Sequence, residues 1–252
     1  DRVEAGAGDD IVVGGTGGDL LFGGPGNDDV SGGDDDDQID GGPGVDTLSG
    51  GSGNDVVNAG GGIGNHLFGN DGDDTLTGSS EGPQTDPNFF DTTFFGDVID
   101  AGAGNDTVFG LGGADLIRGG SGDDRIESGA GSDYVLAGDG NDWVFVGIDL
   151  GEYVYAGAGN DTVYGSHFGD DHLFGEEGDD DLFGQGGNDV LRGGVGDDLL
   201  DGGAGTDDID GQEGNDELLG GSGSGDLLVG GIGNDVIRGS DDGADVIHAG
   251  AG

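Results

Sequence analysis

Residues 14–58 read as five consecutive nonads, GGTGGDLLF, GGPGNDDVS, GGDDDDQID, GGPGVDTLS and GGSGNDVVN, with an aspartate sixth and an aliphatic residue eighth. A fixed period of this kind marks a repeat architecture, in which each unit buries its apolar face only against its neighbours. Carried in both directions, the frame gives 25 units over residues 5–248, with partial units at 1–4 and 249–252. The eighth position is Val, Ile or Leu in all 25. The sixth is Asp in 23, the exceptions being Asn65 in the seventh unit and Glu152 in the fifteenth.

In the last three residues of each unit the central side chain should point inward and its neighbours outward, by the two-residue period of a strand. One aliphatic side chain per unit is then expected to enter the core. That is too little to offset the entropy of ordering a chain with 68 glycines, the residue that loses most freedom on folding. Low hydrophobicity with a formal charge of −50 would by itself suit disorder. The register of the repeat decides against disorder and asks what completes the fold.

The units resemble the RTX, or haemolysin-type, calcium-binding nonapeptide, G-G-x-G-x-D-x-(aliphatic)-x, over essentially the whole chain. The resemblance implies an all-β fold: a right-handed parallel β-roll, or β-solenoid, built of six-residue turns and three-residue strands, with two nonads per coil. The 25 units would give about 12 coils in a single continuous roll over 1–252. It also implies calcium ions between turns of successive coils on the same edge, held by the sixth-position aspartate of each turn and by backbone carbonyls. Carried over residue by residue, the metal candidates are Asp10, Asp19, Asp28, Asp37, Asp46, Asp55, Asp74, Asp97, Asp106, Asp115, Asp124 and Asp133. They continue as Asp142, Asp161, Asp171, Asp180, Asp189, Asp198, Asp207, Asp216, Asp226, Asp235 and Asp245.

Elementary electrostatics points the same way. Equivalent aspartates in stacked coils lie about 4.8 Å apart, and each pair repels by roughly 1 kcal/mol even in water. Calcium accepts six to eight oxygen ligands in flexible geometry, whereas magnesium demands a tight octahedron and transition metals prefer nitrogen or sulfur. With 25 turns there are 23 gaps between same-edge neighbours, and filling about 22 of them with divalent ions would leave only a small residual charge. The expected load is about 12 to 22 calcium ions.

The units that depart from nine residues are the seventh, ninth, fifteenth, seventeenth, twenty-third and twenty-fifth, all odd. Odd turns share one edge of a two-unit coil, so a regular even edge and an irregular odd edge are expected, with Asp35 the main blemish of the even one. The ninth unit carries an inserted loop at about 79–95 with Pro83, Pro87, Phe89, Phe90, Phe94 and Phe95, read first as rings packed on the outside of the roll. Outward columns Phe145, Tyr164, Phe183 and Leu136, Tyr155, Phe174 either stack across strands or mark a lateral contact.

The charge excludes nucleic acid and anionic membrane surfaces as favourable partners, and no stretch approaches the ~20 apolar residues of a membrane span. Cysteine is absent, so neither disulfides nor thiolate metal sites contribute. His66, His167, His172 and His248 show no zinc-protease spacing and there is no G-x-S-x-G elbow, so no enzyme activity is expected. The leading expectation is a calcium-dependent scaffold in a secreted or cell-surface bacterial protein, exported by type I secretion as the resemblance implies. Flanking domains of a larger parent chain are expected, since residues 1–4 look like the tail of an earlier unit. The alternatives are the non-catalytic calcium-binding part of an exported hydrolase or toxin, and a filament or surface-layer subunit self-associating end to end or through the aromatic patches.

Overall fold

The computed structural model describes residues 1–81, 96–147, 151–240 and 243–252. Most of the 79–95 insertion, including its four phenylalanines, lies outside the described residues. These fall into two compact units, Asp1–Tyr134 and Val135–Gly252. Among the described residues every regular element is a β-strand; most strands alternate between two parallel sheets, and Ala204–Gly205 pairs with Ser222–Gly223 in a third, two-stranded one.

In the first unit one sheet runs Arg2–Glu4, Leu20–Phe22, Gln38–Pro43, Val56–Gly61, Thr75–Thr77, Thr107–Phe109 and Arg125–Glu127. The other runs Ile11–Thr16, Asp29–Asp34, Thr47–Ser52, His66–Asp71, Val98–Ala103 and Leu116–Ser121. The second unit repeats the plan, with Trp143–Phe145, Thr162–Tyr164, Asp181–Phe183, Leu199–Asp201, Glu217–Leu219 and Val236–Arg238 in one sheet. Tyr153–Ala158, His172–Glu177, Val190–Val195, Asp208–Glu213, Leu227–Ile232 and Val246–His248 form its other sheet. This is the expected parallel β-solenoid. Strands two units apart pair, so even units make one sheet and odd units the other.

The register places every eighth residue on an eighth residue: Leu21 on Ile39, Val30 on Leu48, Leu67 on Ile99, Leu173 on Leu191, Leu200 on Leu218. Nearly all are fully buried. Ile247 remains 48% exposed, because its strand, Val246–His248, pairs on one side only. One aliphatic residue per unit undercounts this core. Ala59, Ala101, Ala137, Ala156 and Val146, all in the first turn position, are buried beside it, as is Ala114, because the turn bends its first residue inward. Replacing Leu182, fully buried between Val163 and Leu200, by Ala should cost about 2–5 kcal/mol, read as a lower denaturation midpoint in saturating calcium.

The outward aromatic columns stack on themselves. Tyr164 and Phe183 lie 4.9 Å apart at 10°, Tyr155 and Phe174 4.6 Å at 11°, and Tyr153 and His172 4.3 Å at 7°. These spacings match the distance between strands, and each half-buried ring covers the next.

The two edges differ in their backbone. The six-residue strands of the odd units, such as Asp29–Asp34, Thr47–Ser52, Val190–Val195 and Leu227–Ile232, carry their hydrogen bonding into the following even turn. Most even-unit strands stop after three residues, the exceptions being Gln38–Pro43 and Val56–Gly61.

Candidate metal centre

Most turns bring their sixth residue back under the core, so these aspartates are buried rather than displayed, with Asp10, Asp235 and Asp245 half-buried. Asp46, Asp97, Asp115, Asp133, Asp171 and Asp226 are fully buried, and Asp19, the most open of the buried set, is 5% exposed. Asn65 and Glu152 occupy the same place and are equally buried.

The carboxylates form ladders. Oδ1 of each accepts the backbone N–H of the equivalent residue one coil earlier: Asp19 to Asp37 at 2.7 Å, Asp28 to Asp46 at 2.8 Å, Asp106 to Asp124 at 2.8 Å, Asp180 to Asp198 at 2.9 Å and Asp207 to Asp226 at 3.0 Å. Asn65 keeps the ladder intact, accepting from Asp46 at 2.9 Å while its own N–H donates to Asp97 at 2.8 Å. One oxygen per aspartate is thereby used by the protein. The other is left over.

Oδ2 is buried without a hydrogen-bond partner in Asp10, Asp19, Asp28, Asp37, Asp46, Asp55, Asp74, Asp106 and Asp115. The same holds for Asp161, Asp180, Asp189, Asp198, Asp207, Asp216, Asp226 and Asp235. Asp124, Asp133 and Asp142 are buried in the same register. Asp97, Asp171 and Asp245 differ, since Ser79, Ser166 and Ser240 donate their backbone N–H to Oδ2. A buried carboxylate oxygen with no donor costs several kcal/mol, so a row of them calls for a cation.

The glycines shape the space around those oxygens. A Cβ on Gly14 would fall on Asp19 Oδ2 and on the carbonyl oxygen of Gly32, so the two oxygens converge on the space beside that glycine. Further round the turn, Gly24 and Gly26 have φ of 105° and 148°. A Cβ on either would strike the carbonyl oxygen of Gly6 or Gly8 in the preceding coil. Among the described residues no point gathers three or more His, Asp or Glu side chains. A cation here must therefore complete its shell with backbone carbonyls, and this all-oxygen donor set suits calcium.

Burial, and then neighbouring carboxylates, push the ladder well above the usual carboxylate range, against the lowering effect of the N–H bonds. Asp189 rises to about 8, Asp74, Asp161 and Asp198 to about 7, and Asp46, Asp106, Asp180 and Asp207 to about 6. The facing pair Asp115 and Asp133 is raised as well. The folded turns hold negative charge poorly unless a cation stands beside it.

The fifth position, treated above as variable, is a second ladder. Asn27 accepts from Val45 at 3.0 Å, Asn105 from Asp123 at 2.8 Å, Asp179 from Asp197 at 2.8 Å and Asn215 from Asn234 at 2.9 Å. These bonds run from the later coil to the earlier, opposite to those at position six. The recurrence of Asn or Asp at position five was the available signal.

The family model described as RTX calcium-binding nonapeptide repeat (4 copies) matches residues 4–39, 31–64, 60–80, 91–126, 118–149, 146–167, 168–191, 183–218, 192–227 and 220–252. The chain belongs to this family. A comparison with curated proteins finds no match. Repeats of this family bind calcium, and the orphaned Oδ2 oxygens of the sixth-position aspartates in this chain are donors of the kind that ion takes.

Proposed function

We propose that this RTX chain is a non-catalytic scaffold of a secreted or cell-surface protein, whose fold is completed by calcium ions seated between successive turns of the same edge. The observation that carries the reading is the row of buried Oδ2 atoms without a donor. Each ion would be held by the sixth-position carboxylates of two turns, with turn carbonyls completing its oxygen shell. An acidic chain without cysteine suits export ahead of folding, since the turns then order only where calcium is abundant.

Equilibrium dialysis against calcium, paired with sedimentation velocity, tests this. The expected result is binding of about 12 or more calcium ions per chain, a rise in sedimentation coefficient of a monomer, and no comparable uptake of magnesium. A chain that takes up no calcium would overturn the reading. Calcium-driven, concentration-dependent polymers would transfer it to a self-associating filament.

A further inference from the structure

Among the described residues the second turn position takes a left-handed φ in every unit but three. Even where glycine is replaced the conformation persists, with φ of 81° at Asn70, 74° at Leu111, 79° at Glu176, 69° at Gln185 and 75° at Gln212. The exceptions are Ser79, Ser166 and Ser240. All three stand second in odd units that depart from nine residues.

The same three serines close the carboxylate. The N–H of Ser166 donates to Asp171 Oδ2 at 2.6 Å and its hydroxyl lies 3.3 Å from Oδ1, while Gly169 N–H donates to that hydroxyl at 2.9 Å. Ser240 donates its N–H to Asp245 Oδ2 at 2.9 Å, with its hydroxyl at 3.0 Å from the same oxygen. Ser79 N–H donates to Asp97 Oδ2 at 2.5 Å. Unit length does not explain this. The twenty-third unit also has ten residues, but its second residue is Gly221 with φ of 80°, and Oδ2 of its Asp226 stays without a partner.

We propose that Ser79, Ser166 and Ser240 are closure residues that replace calcium at Asp97, Asp171 and Asp245, so that these three turns of the irregular edge hold no ion. With φ out of the left-handed region the amide turns on to the oxygen that elsewhere waits for a cation, and the N–H satisfies the carboxylate in the ion's place. The carboxylates of Asp97, Asp171 and Asp245 are then satisfied without calcium. The inference rests on the calcium reading above and adds to it which turns are silent.

Crystals grown in calcium, with anomalous difference maps at long wavelength, give the direct test. Peaks are expected beside Asp180, Asp198, Asp189 and Asp207, and none at the Oδ2 atoms of Asp97, Asp171 and Asp245. Peaks at those three, as strong as the others, overturn the proposal. Peaks nowhere would instead remove the calcium reading itself, so the two failures are distinct. The S166G variant supplies a second readout by native mass spectrometry: glycine restores the left-handed turn and frees Oδ2, so one more ion per chain than wild type is expected. An unchanged count overturns the role of the serine.

Discussion

In EDTA at neutral pH the chain is expected to lose its β circular-dichroism signal, and to regain it on adding excess calcium but not magnesium. The core supplies little more than one aliphatic side chain per nonad, and beside it lie at least 17 buried carboxylate oxygens with no donor. Without cations each ladder stacks like charges in a dry setting, where repulsion exceeds its value in water. Each ion that binds only the folded state adds about 2.7 kcal/mol at a hundredfold excess over its dissociation constant. With ions shared between neighbouring turns, as proposed above, the transition should be steep in calcium. The metal-free chain of 252 residues should expand towards a radius of gyration of about 55 Å, which small-angle scattering reads directly. A chain that keeps its β signal in EDTA would refute a calcium-completed fold.

Acid should partly substitute for calcium. The ladder aspartates have folded-state values raised from 3.8 to about 6 for Asp46, Asp106, Asp180 and Asp207, to about 7 for Asp74, Asp161 and Asp198, and to about 8 for Asp189, with burial the main cause. A carboxyl whose value is raised on folding contributes stability that is fully present below its unfolded value, near 3.8, and is lost as pH rises through the folded one. The metal-free roll should therefore be more ordered near pH 4 than at pH 7.5, with β signal lost across roughly pH 4 to 8. Calcium must displace those protons, so its apparent affinity should fall as pH drops through 7 and 6, and binding at pH 6 should release protons into the buffer. Circular dichroism in EDTA across pH, with calorimetry in two buffers of different ionisation heat, checks both statements. A metal-free β signal that rose with pH would refute the ladder electrostatics.

Much of this was legible in the residues. The nine-residue period, Leu182 and its counterparts as core, and Asp180 and its counterparts at the turns all follow from one code repeated at one register. Stacking identical units leaves little freedom in which residue meets which. The alternation of units between two sheets was what the resemblance implied, with two nonads per coil, and the length variants, all in odd units, then pointed to one irregular edge. The core alanines escaped notice, since Ala101 and Ala156 stand where most units have glycine and their burial depends on the bend of the turn. The fifth-position ladder was missed because Asn27 and Asp179 look like ordinary turn residues until Val45 and Asp197 are placed one coil away.

The sequence by itself determined the solenoid, its pairing register, its aliphatic core and the aspartates that face the turns, because each is a consequence of residue type at a fixed spacing. Only the tertiary structure decided which oxygen of each aspartate is spent on a backbone amide and which is left for a cation. It likewise distinguished Asp180, whose Oδ2 has no donor, from Asp171, whose Oδ2 accepts the N–H of Ser166, although both stand at the same place in the repeat. The difference lies in the direction of a single N–H, set by the backbone angle at the second turn residue, which is left-handed at Gln185 and not at Ser166.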